Sequence, residues 1–428
     1  MNTCSMLDIL QSQVAPAIGC TEPVSVAIAV AAAKELLTVP IKSVQVHMSL
    51  NIFKNGMRVG IPGTQEKGIM FAVALALVQG SSSDGLEIFK EVDEQAIQEA
   101  HKILASDVIR IDAMKMTSDF YISATLRGEQ EISECTIMSN HTNIVSLKKN
   151  GEELYKAKPC DDTVTDTECR IDRLDDIFSF IERANYQDLL FLLDGVKMNM
   201  AMAQEGKENH YSSALGSRLF SLIESGQLSR DVSNLIKAET ASACDARMGG
   251  ARLPVMSSSG SGNQGLAATI PLAVLAEHIG SSTEQLVISL ALSHLITHYI
   301  KQQTGRLSPV CGCAIAAGIG AAAGMTLLQG GEKEHIHLVI NNMIGSLAGM
   351  VCDGAKGGCS YKISTAVGEA YTQALVVLDN TSIAKFDGII GSDVERTITN
   401  LAILSRQGMG EVDSLLVDIL SEAQAEGF

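Results

Sequence analysis

The stretch VCGCAIAAGIGAAAGMTLL at residues 310–328 decides how the second half of this 428-residue chain folds. It runs for 19 residues without a charge, which reaches the length of ~18–20 residues that spans a bilayer. Alanine and glycine dominate it, however, and gain little from entering a bilayer, and two thiols interrupt it. The stretch therefore predicts a buried helix of a water-soluble protein, packed closely against other helices.

The composition of the whole chain limits the kinds of protein that it can be. Hydrophobic residues make up 46% and charged residues 19%, so a chain this long buries a full core and is not intrinsically disordered. The net charge is −17, and no stripe of lysine and arginine with interleaved aromatics occurs, which argues against a nucleic-acid partner. Residues 1–11 carry Asp8 and no basic segment, so we expect a cytoplasmic protein without a secretory signal or a membrane association.

Hydrophobic patterning changes along the chain and predicts an α+β protein. Residues 1–158 predict a mixed α/β domain, residues 159–172 a polar linker, and residues 173–428 an all-helical domain of about ten helices. Within the first domain the strand patterns lie at 44–52, 108–114, 121–126, 131–138 and 143–147, with a short strand and turn at 56–63.

Four of the ten cysteines lie close together in the sequence: Cys311, Cys313, Cys352 and Cys359. Three glycines between Cys352 and Cys359 allow that loop to bend until both sulfurs face one point. Thiolates favour soft metals, in zinc sites or iron–sulfur clusters, and cysteines of a chain without a signal peptide stay reduced. The pattern indicates a metal or catalytic site, and buried structural thiols explain it equally well.

A second motif, GCTEP at residues 19–23, lies just ahead of a predicted helix. The helix dipole lowers the pKa of a thiol at this position, which suits Cys20 to acid–base chemistry or to metal binding. Alternatively, Thr21 simply caps the helix and Pro23 occupies its first turn. That alternative leaves Cys20 and Glu22 unexplained.

A third motif, SSSGSGNQG at residues 257–265, contains a formal GxGxxG. No βαβ unit surrounds it, so it does not predict a dinucleotide site. Backbone N–H groups and hydroxyls at the start of the following helix suit a small carboxylate, and Arg247 just upstream offers a guanidinium for it. An ordinary Gly/Ser-rich connection explains the pattern equally well.

The histidines offer little sign of a hydrolytic zinc site. His294 and His298 share one helix face, but Leu295 stands where a zincin has glutamate. We therefore expect these two histidines in a buried polar network. His141 lies at a turn into a predicted strand, where it either caps the turn or takes part in catalysis.

In this order, the motifs resemble those of the L-cysteine desulfidase family, which is related to the iron–sulfur L-serine dehydratases. The resemblance covers nearly the whole chain, and its motifs are specific when taken together. They are GCTEP at 19–23, KNGMRVGIPGT at 54–64, HTNIV at 141–145, QEG at 204–206, SACDARMGGARLPVMSSSGSGNQG at 242–265, RLSPVC at 306–311 and CDGAKGGC at 352–359. The resemblance implies a mixed α/β N-terminal domain followed by a large helical domain like that of the serine dehydratase α chain.

The same resemblance implies a cofactor and a reaction. Cys311, Cys352 and Cys359 would hold a [4Fe-4S] cluster, with Cys313 as the alternative to Cys311, and one iron would stay open as a Lewis acid. The reaction would be the β-elimination of L-cysteine to sulfide, pyruvate and ammonia by a carbon–sulfur lyase. Cys20 is the expected catalytic base, and a homodimer is expected. The expected substrate-binding residues are Arg247, Ser259, Asn263, Asn55 and His141.

Two other functions stay open from the sequence. An L-serine dehydratase of the iron–sulfur type would use the same cluster and release water in place of sulfide. A non-catalytic metal-binding or redox-sensing protein would also need the cysteines, but it would need no iron that an amino acid can reach.

Overall fold

The first part of the chain combines helices with one large sheet. The computed structural model describes residues 5–114, 120–157, 170–211, 213–305 and 307–425, so the predicted linker at 159–172 lies outside it except for residues 170–172. The elements of the first part are α1 (Met6–Gln13), β1 (Pro16–Ile18), α2 (Thr21–Glu35), β2 (Ser43–Ser49), α3 (Leu50–Gly56), α4 (Ile69–Gln79), a 3-10 helix (Ser82–Glu87), α5 (Glu94–Ala105), β3 (Ile109–Met114), β4 (Tyr121–Arg127), β5 (Ile132–Met138), β6 (Ile144–Lys149) and β7 (Glu152–Lys156).

The large sheet has six strands in the order β3-β2-β4-β5-β6-β7. The β2–β3 pair is parallel and the other pairs are antiparallel. Alternate residues of β2, Val44, Val46 and Met48, are buried, as expected for a strand with one face on a core. Helix α2 packs against β4 and β5, and its run of small apolar residues is buried almost all around.

Two of the strand predictions are wrong in part. The predicted strand at 44–52 ends at Ser49, because residues 50–56 form α3. The predicted strand at 56–63 is a turn whose single β-bridge joins Gly60 to Lys67. This turn packs tightly on the end of a later helix, since a Cβ at Gly60 would lie 2.5 Å from the carbonyl carbon of Gly249.

The second part of the chain is helical apart from one short strand. Its elements are α6 (Leu174–Ile181), a 3-10 helix (Tyr186–Leu189), α7 (Leu192–Glu208), α8 (Leu215–Glu224), α9 (Val232–Met248), β8 (Pro254–Met256), α10 (Gly262–Ile279), α11 (Thr283–Thr304), α12 (Ala316–Leu328), α13 (Lys333–Leu347), α14 (Cys359–Val376), a 3-10 helix (Val377–Asp379), α15 (Val394–Ile403), a π-helix (Leu404–Gly408) and α16 (Val412–Ala425). The all-helical prediction is wrong at β8, which pairs antiparallel with β1.

Two large hydrophobic cores form among the described residues, and helices near the two ends of the chain cross between them. The sheet and helices α2 and α4 build one core, and the helices of the second part build the other. Ile9 and Leu10 of α1 belong to the helical core, whereas Val417 of α16 belongs to the core of the sheet. The two domains at 1–158 and 173–428 stay a prediction.

Glycines in α12 explain how its Ala/Gly-rich sequence packs. A Cβ at Gly320 would lie 2.4 Å from the Ser293 carbonyl oxygen of α11, and one at Gly324 would lie 2.8 Å from that of Ser289. The backbones of α11 and α12 therefore meet almost directly, and α12 is buried on nearly all sides. In the described part of the chain, no helix is both long and apolar enough to cross a membrane.

Replacing Gly320 by alanine tests this close approach. Because the added methyl group meets backbone, we expect Gly320→Ala to lower the free energy of unfolding by about 1–3 kcal/mol, the usual cost of overpacking. Urea denaturation measures the change. The control is Gly349→Ala, whose Cβ would meet nothing within 4 Å; equal stability of the two variants would contradict the close approach.

Candidate functional site

One cavity of about 360 Å³ brings the predicted site residues together. It lies where α2, α3 and the turn between β5 and β6 meet α9, α10 and the loops that precede α12 and α14. Among its lining residues are Cys20, Asn55, His141, Arg247, Ser259, Asn263, Cys311, Cys313, Cys352 and Cys359. Motifs that are far apart in the sequence therefore share one space, and the roles of these residues stay predictions.

Cys20 occupies the position just before α2 and is paired with a carboxylate. Its Sγ donates a hydrogen bond to Oε2 of Glu22 at 2.8 Å, and Nδ2 of Asn55 donates to Oε1 of Glu22 at 3.0 Å. Burial, and then the charge of Glu22, raise the pKa of the Cys20 thiol well above its ordinary value. The lowered pKa that the helix dipole predicts is therefore wrong here, because desolvation outweighs the dipole.

The carboxylate of Glu22 stays ionised at this position. Burial acts to raise its pKa, but the charge of His141 and the hydrogen bonds from Cys20, Asn55 and its own backbone N–H lower it overall. His141 reaches α2 through a 2.8 Å hydrogen bond between its Nε2 and Oγ1 of Thr21. The proton shared by Cys20 and Glu22 therefore rests on the sulfur.

Arg247, near the end of α9, joins three segments of the site. Its Nη1 donates to Oδ1 of Asn263 at 2.9 Å, and its Nη2 donates to the carbonyl oxygen of Gly19 at 2.6 Å. The residue is only 5% exposed, and a Cβ at Gly262 would lie 2.3 Å from its Nε. The guanidinium thus fixes the loop before Cys20 against the start of α10.

The SSSGSGNQG segment forms a tight turn, and two of its serines hydrogen-bond histidines of α11. Ser259 has a positive φ of 48°, a strained conformation of the kind found at functional sites. Oγ of Ser259 hydrogen-bonds Nδ1 of His298 at 3.2 Å, and Oγ of Ser258 hydrogen-bonds Nδ1 of His294 at 3.0 Å. The predicted polar network is confirmed, and the antiparallel pairing of β8 agrees with the rejection of a dinucleotide site.

The two cysteine-bearing loops lie side by side. The backbone N–H of Cys311 donates to the Met350 carbonyl at 2.8 Å, and that of Cys352 donates to the Pro309 carbonyl at 2.7 Å. A hydrogen bond with Cys313, the N–H of Ala314 and the Lys362 ammonium overcome burial and lower the pKa of Cys311 to about 6. The choice between Cys311 and Cys313 as the ligand stays a prediction.

The donor set suits a cofactor larger than a single ion. Among the described residues, no three His, Cys, Asp or Glu side chains are placed to hold one metal ion, whose thiolates would all lie about 2.3 Å from it. A four-iron cluster instead spreads its thiolates over separate irons. Burial, with the negative charges of Cys311 and Cys352, raises the pKa of Cys359 to about 12, and a bound cationic cofactor relieves such repulsion. Four thiols on one cavity have the donor chemistry of an iron–sulfur site, and the [4Fe-4S] cluster itself stays a prediction.

Several residues that line the cavity are not among the site residues predicted from the sequence. Glu22 has a signal, since it belongs to the GCTEP motif, and Lys54 belongs to the KNGMRVGIPGT motif. Gln264 belongs to the SSSGSGNQG motif, whereas Lys301 carries no sign of a site beyond its helical position. Lys54 forms a buried ion pair with Asp413 of α16, and no local pattern joins residues that lie 359 positions apart.

Asp413→Asn tests the ion pair. The Lys54 side chain is 1% exposed and that of Asp413 14%, so the variant leaves a buried ammonium without its counter-charge. We expect the free energy of unfolding to fall by about 3 kcal/mol, and Lys54→Met with Asp413→Leu to restore most of it. The control is Glu129→Gln in the exposed Lys42–Glu129 pair, with an effect below about 1 kcal/mol. An equally small effect of Asp413→Asn would refute the buried pair.

His294 makes stability depend on pH. Burial lowers its pKa to about 4, whereas in the unfolded chain it is about 6.5. The unfolded chain binds a proton between these values, so the stability is fully present above about pH 6.5 and is lost as the pH falls toward 4. We expect the native chain to lose about 2 kcal/mol more than His294→Gln between pH 7 and pH 5. Urea titrations with the same pH slope for both proteins would contradict this.

Comparison with known proteins identifies the family. The chain matches the family described as serine dehydratase alpha chain over residues 83–418, and this family is generally iron–sulfur dependent. It is 39% identical over 418 residues to a UPF0597 protein of Clostridium tetani, covering 97% of each chain. It is also 39% identical to UPF0597 proteins of Clostridioides difficile, over 97% of this chain and 99% of the relative, and of Caldanaerobacter subterraneus, over 98% of each. The predicted relation to the iron–sulfur serine dehydratases is thereby confirmed: the chain belongs to the serine dehydratase alpha chain family.

Proposed function

We propose that this chain is an L-cysteine desulfidase, which eliminates sulfide from L-cysteine and yields pyruvate and ammonia. The observation that carries the proposal is the shared cavity, where four thiols from two loops face the Cys20–Glu22 pair and the guanidinium of Arg247. Every motif that resembles the desulfidase family, except QEG at 204–206, contributes residues to the lining of this cavity. The volume of about 360 Å³ has room for an amino acid beside a cofactor.

The proposed cofactor is a [4Fe-4S] cluster on Cys311, Cys352 and Cys359. Such a cluster, held by three thiolates, supplies one iron with an open position that acts as a Lewis acid. Cys313 is assigned to donating a hydrogen bond to the Cys311 sulfur. The ammonium of Lys362 favours the thiolates of Cys311 and Cys352, and Lys54 favours that of Cys352.

The proposed proton path runs through Cys20 and Glu22. Elimination removes the α-proton of the substrate, forms a Cα–Cβ double bond and releases the β-sulfur as HS⁻. Sγ of Cys20 accepts the α-proton only after its own proton has moved to Oε2 of Glu22, 2.8 Å away. That proton would then pass to the departing HS⁻, which leaves as H₂S and returns Glu22 to its carboxylate. The aminoacrylate that leaves the site tautomerises and is hydrolysed by water to pyruvate and ammonia.

L-Serine dehydratase is the second function that a specific observation favours. The matching family is described as serine dehydratase alpha chain, and the same proton path serves the loss of water. The two functions differ in the leaving group alone.

An anaerobic assay with both amino acids tests the proposal. We expect protein reconstituted with iron and sulfide to bind about four irons per chain and to form pyruvate from L-cysteine. We expect its kcat/KM for L-cysteine to exceed that for L-serine by more than about tenfold. A preference for L-serine would establish the dehydratase instead, and turnover of neither amino acid would refute both enzymes.

Single cysteine variants separate the two proposed roles. We expect Cys352→Ala to lose most of its iron because a cluster ligand is missing. We expect Cys20→Ala to keep most of its iron and lose turnover because the proton path is broken. Cys135→Ala, in the buried sheet far from the cavity lining, serves as the control and retains both. Full activity of Cys20→Ala would remove Cys20 from the mechanism.

A further inference from the structure

Three buried side-chain atoms of the cavity wall are left without a hydrogen-bond partner among the described residues. They are Oδ1 of Asn51, Nε of Arg247 and Oε1 of Gln264. Each of these residues is at least nine-tenths buried. A buried polar atom without a partner costs free energy, so these atoms mark a place where the polar groups of a ligand complete the site.

Glu22 adds a negative charge to one wall of this cavity. Its two oxygens accept hydrogen bonds from the neutral groups of Cys20 and Asn55. The charge of His141 acts on this carboxylate, and Lys54, the lysine of the neighbouring helix α3, pairs with Asp413 instead. A desolvated carboxylate gains strongly from a cation that binds beside it.

Lys301 adds a positive charge near the CGC turn. Its Nζ lies 3.4 Å from Oγ of Ser308. A Cβ at Gly312 would lie 3.3 Å from Nζ of Lys301 and 2.7 Å from Nε2 of Gln264, so the ammonium and the amide both border this turn. The cavity therefore presents a carboxylate from α2 and an ammonium from α11, which is the charge pattern complementary to a zwitterion.

We propose that Glu22 binds the α-ammonium group of the substrate and thereby selects α-amino acids over 2-hydroxy acids, while Lys301 borders the place of the substrate carboxylate. The proposal rests on the proposed function in one respect, that the substrate is an amino acid. An ammonium at Glu22 places the α-carbon, one bond away, beside the sulfur of Cys20. Glu22 then serves at two stages: its carboxylate binds the ammonium when the substrate enters, and Oε2 takes the Cys20 proton only transiently during elimination, while Oε1 still accepts a hydrogen bond from the ammonium.

The test compares two ligands that cannot undergo elimination. L-Alanine carries the ammonium group, and L-lactate carries a hydroxyl in its place. Calorimetry on the reconstituted protein measures the Kd of each. We expect the native protein to bind L-alanine more tightly than L-lactate. We expect Glu22→Gln to weaken the binding of L-alanine by about 10- to 100-fold, the range of a charge-assisted hydrogen bond. We expect the same variant to change the Kd of L-lactate by less than about threefold.

Cys20→Ala is the matched control, because it removes the other half of the pair and keeps the carboxylate. We expect it to preserve the preference for L-alanine. Equal weakening of both ligands by Glu22→Gln would overturn the proposal and assign Glu22 to holding Cys20 alone. Equal binding of the two ligands to the native protein would also overturn it, even if the Glu22 variant does not fold.

These experiments distinguish a failure of the ammonium-site proposal from a failure of the proposed elimination reaction. Glu22-dependent binding of L-alanine by a protein that turns over neither amino acid would support the ammonium site and refute the elimination. Turnover of L-cysteine with no selective loss of L-alanine in Glu22→Gln would do the opposite.

Discussion

The buried guanidinium of Arg247 is the contact on which the rest of the site depends. It binds the carbonyl oxygen of Gly19 and the side chain of Asn263, so it ties the segment before α2 to the start of α10. Cys20 and Glu22 follow Gly19 directly, and their positions in the cavity are set by this contact. A cationic side chain with three forked donor groups suits this task because it satisfies a carbonyl and an amide in one plane.

The guanidinium also changes the interpretation of the sequence. Arg247 is predicted to bind a substrate carboxylate, but both of its terminal nitrogens already hold protein oxygens. Its Nε has no hydrogen-bond partner among the described residues, and each terminal nitrogen keeps one further N–H for a ligand. The ammonium of Lys301, on a helix whose sequence gives no sign of a site, adds a positive charge at the CGC turn to that of Lys362. Charge balance in the cavity is therefore shared among residues that the motifs do not mark.

The identity of the site residues was more predictable from the sequence than their chemistry. Motifs mark Cys20, Cys311, Cys352 and Cys359 because thiols between glycines, or before a helix, are unusual locally, and the cavity brings them together. The pKa of Cys20 was not predictable, since its burial depends on the helical core that the second part of the chain builds. Nor was the Lys54–Asp413 pair, because the apposition of α3 and α16 depends on the whole fold.

Among the elements of the fold, those with a regular hydrophobic spacing were predictable from the sequence, and the short ones were not. Strands β3 to β6 and the Ala/Gly-rich helix α12 follow regular spacing and lie close to their predicted positions. The turn at 56–63 and strand β8 depend on contacts with distant segments, namely Gly249 and β1. When a segment takes its conformation from contacts with distant parts of the chain, its own sequence contains little that predicts that conformation.

The central claim is that the thiols of two loops hold a cluster with one iron open to an amino acid in the cavity. The most direct measurement is the Mössbauer spectrum of protein reconstituted with ⁵⁷Fe, recorded with and without L-cysteine under anaerobic conditions. The account predicts that about one iron in four changes its signal when the amino acid binds, since only one iron lacks a thiolate. A cluster whose irons all keep their signals in the presence of L-cysteine, or a protein that takes up no iron, would contradict it.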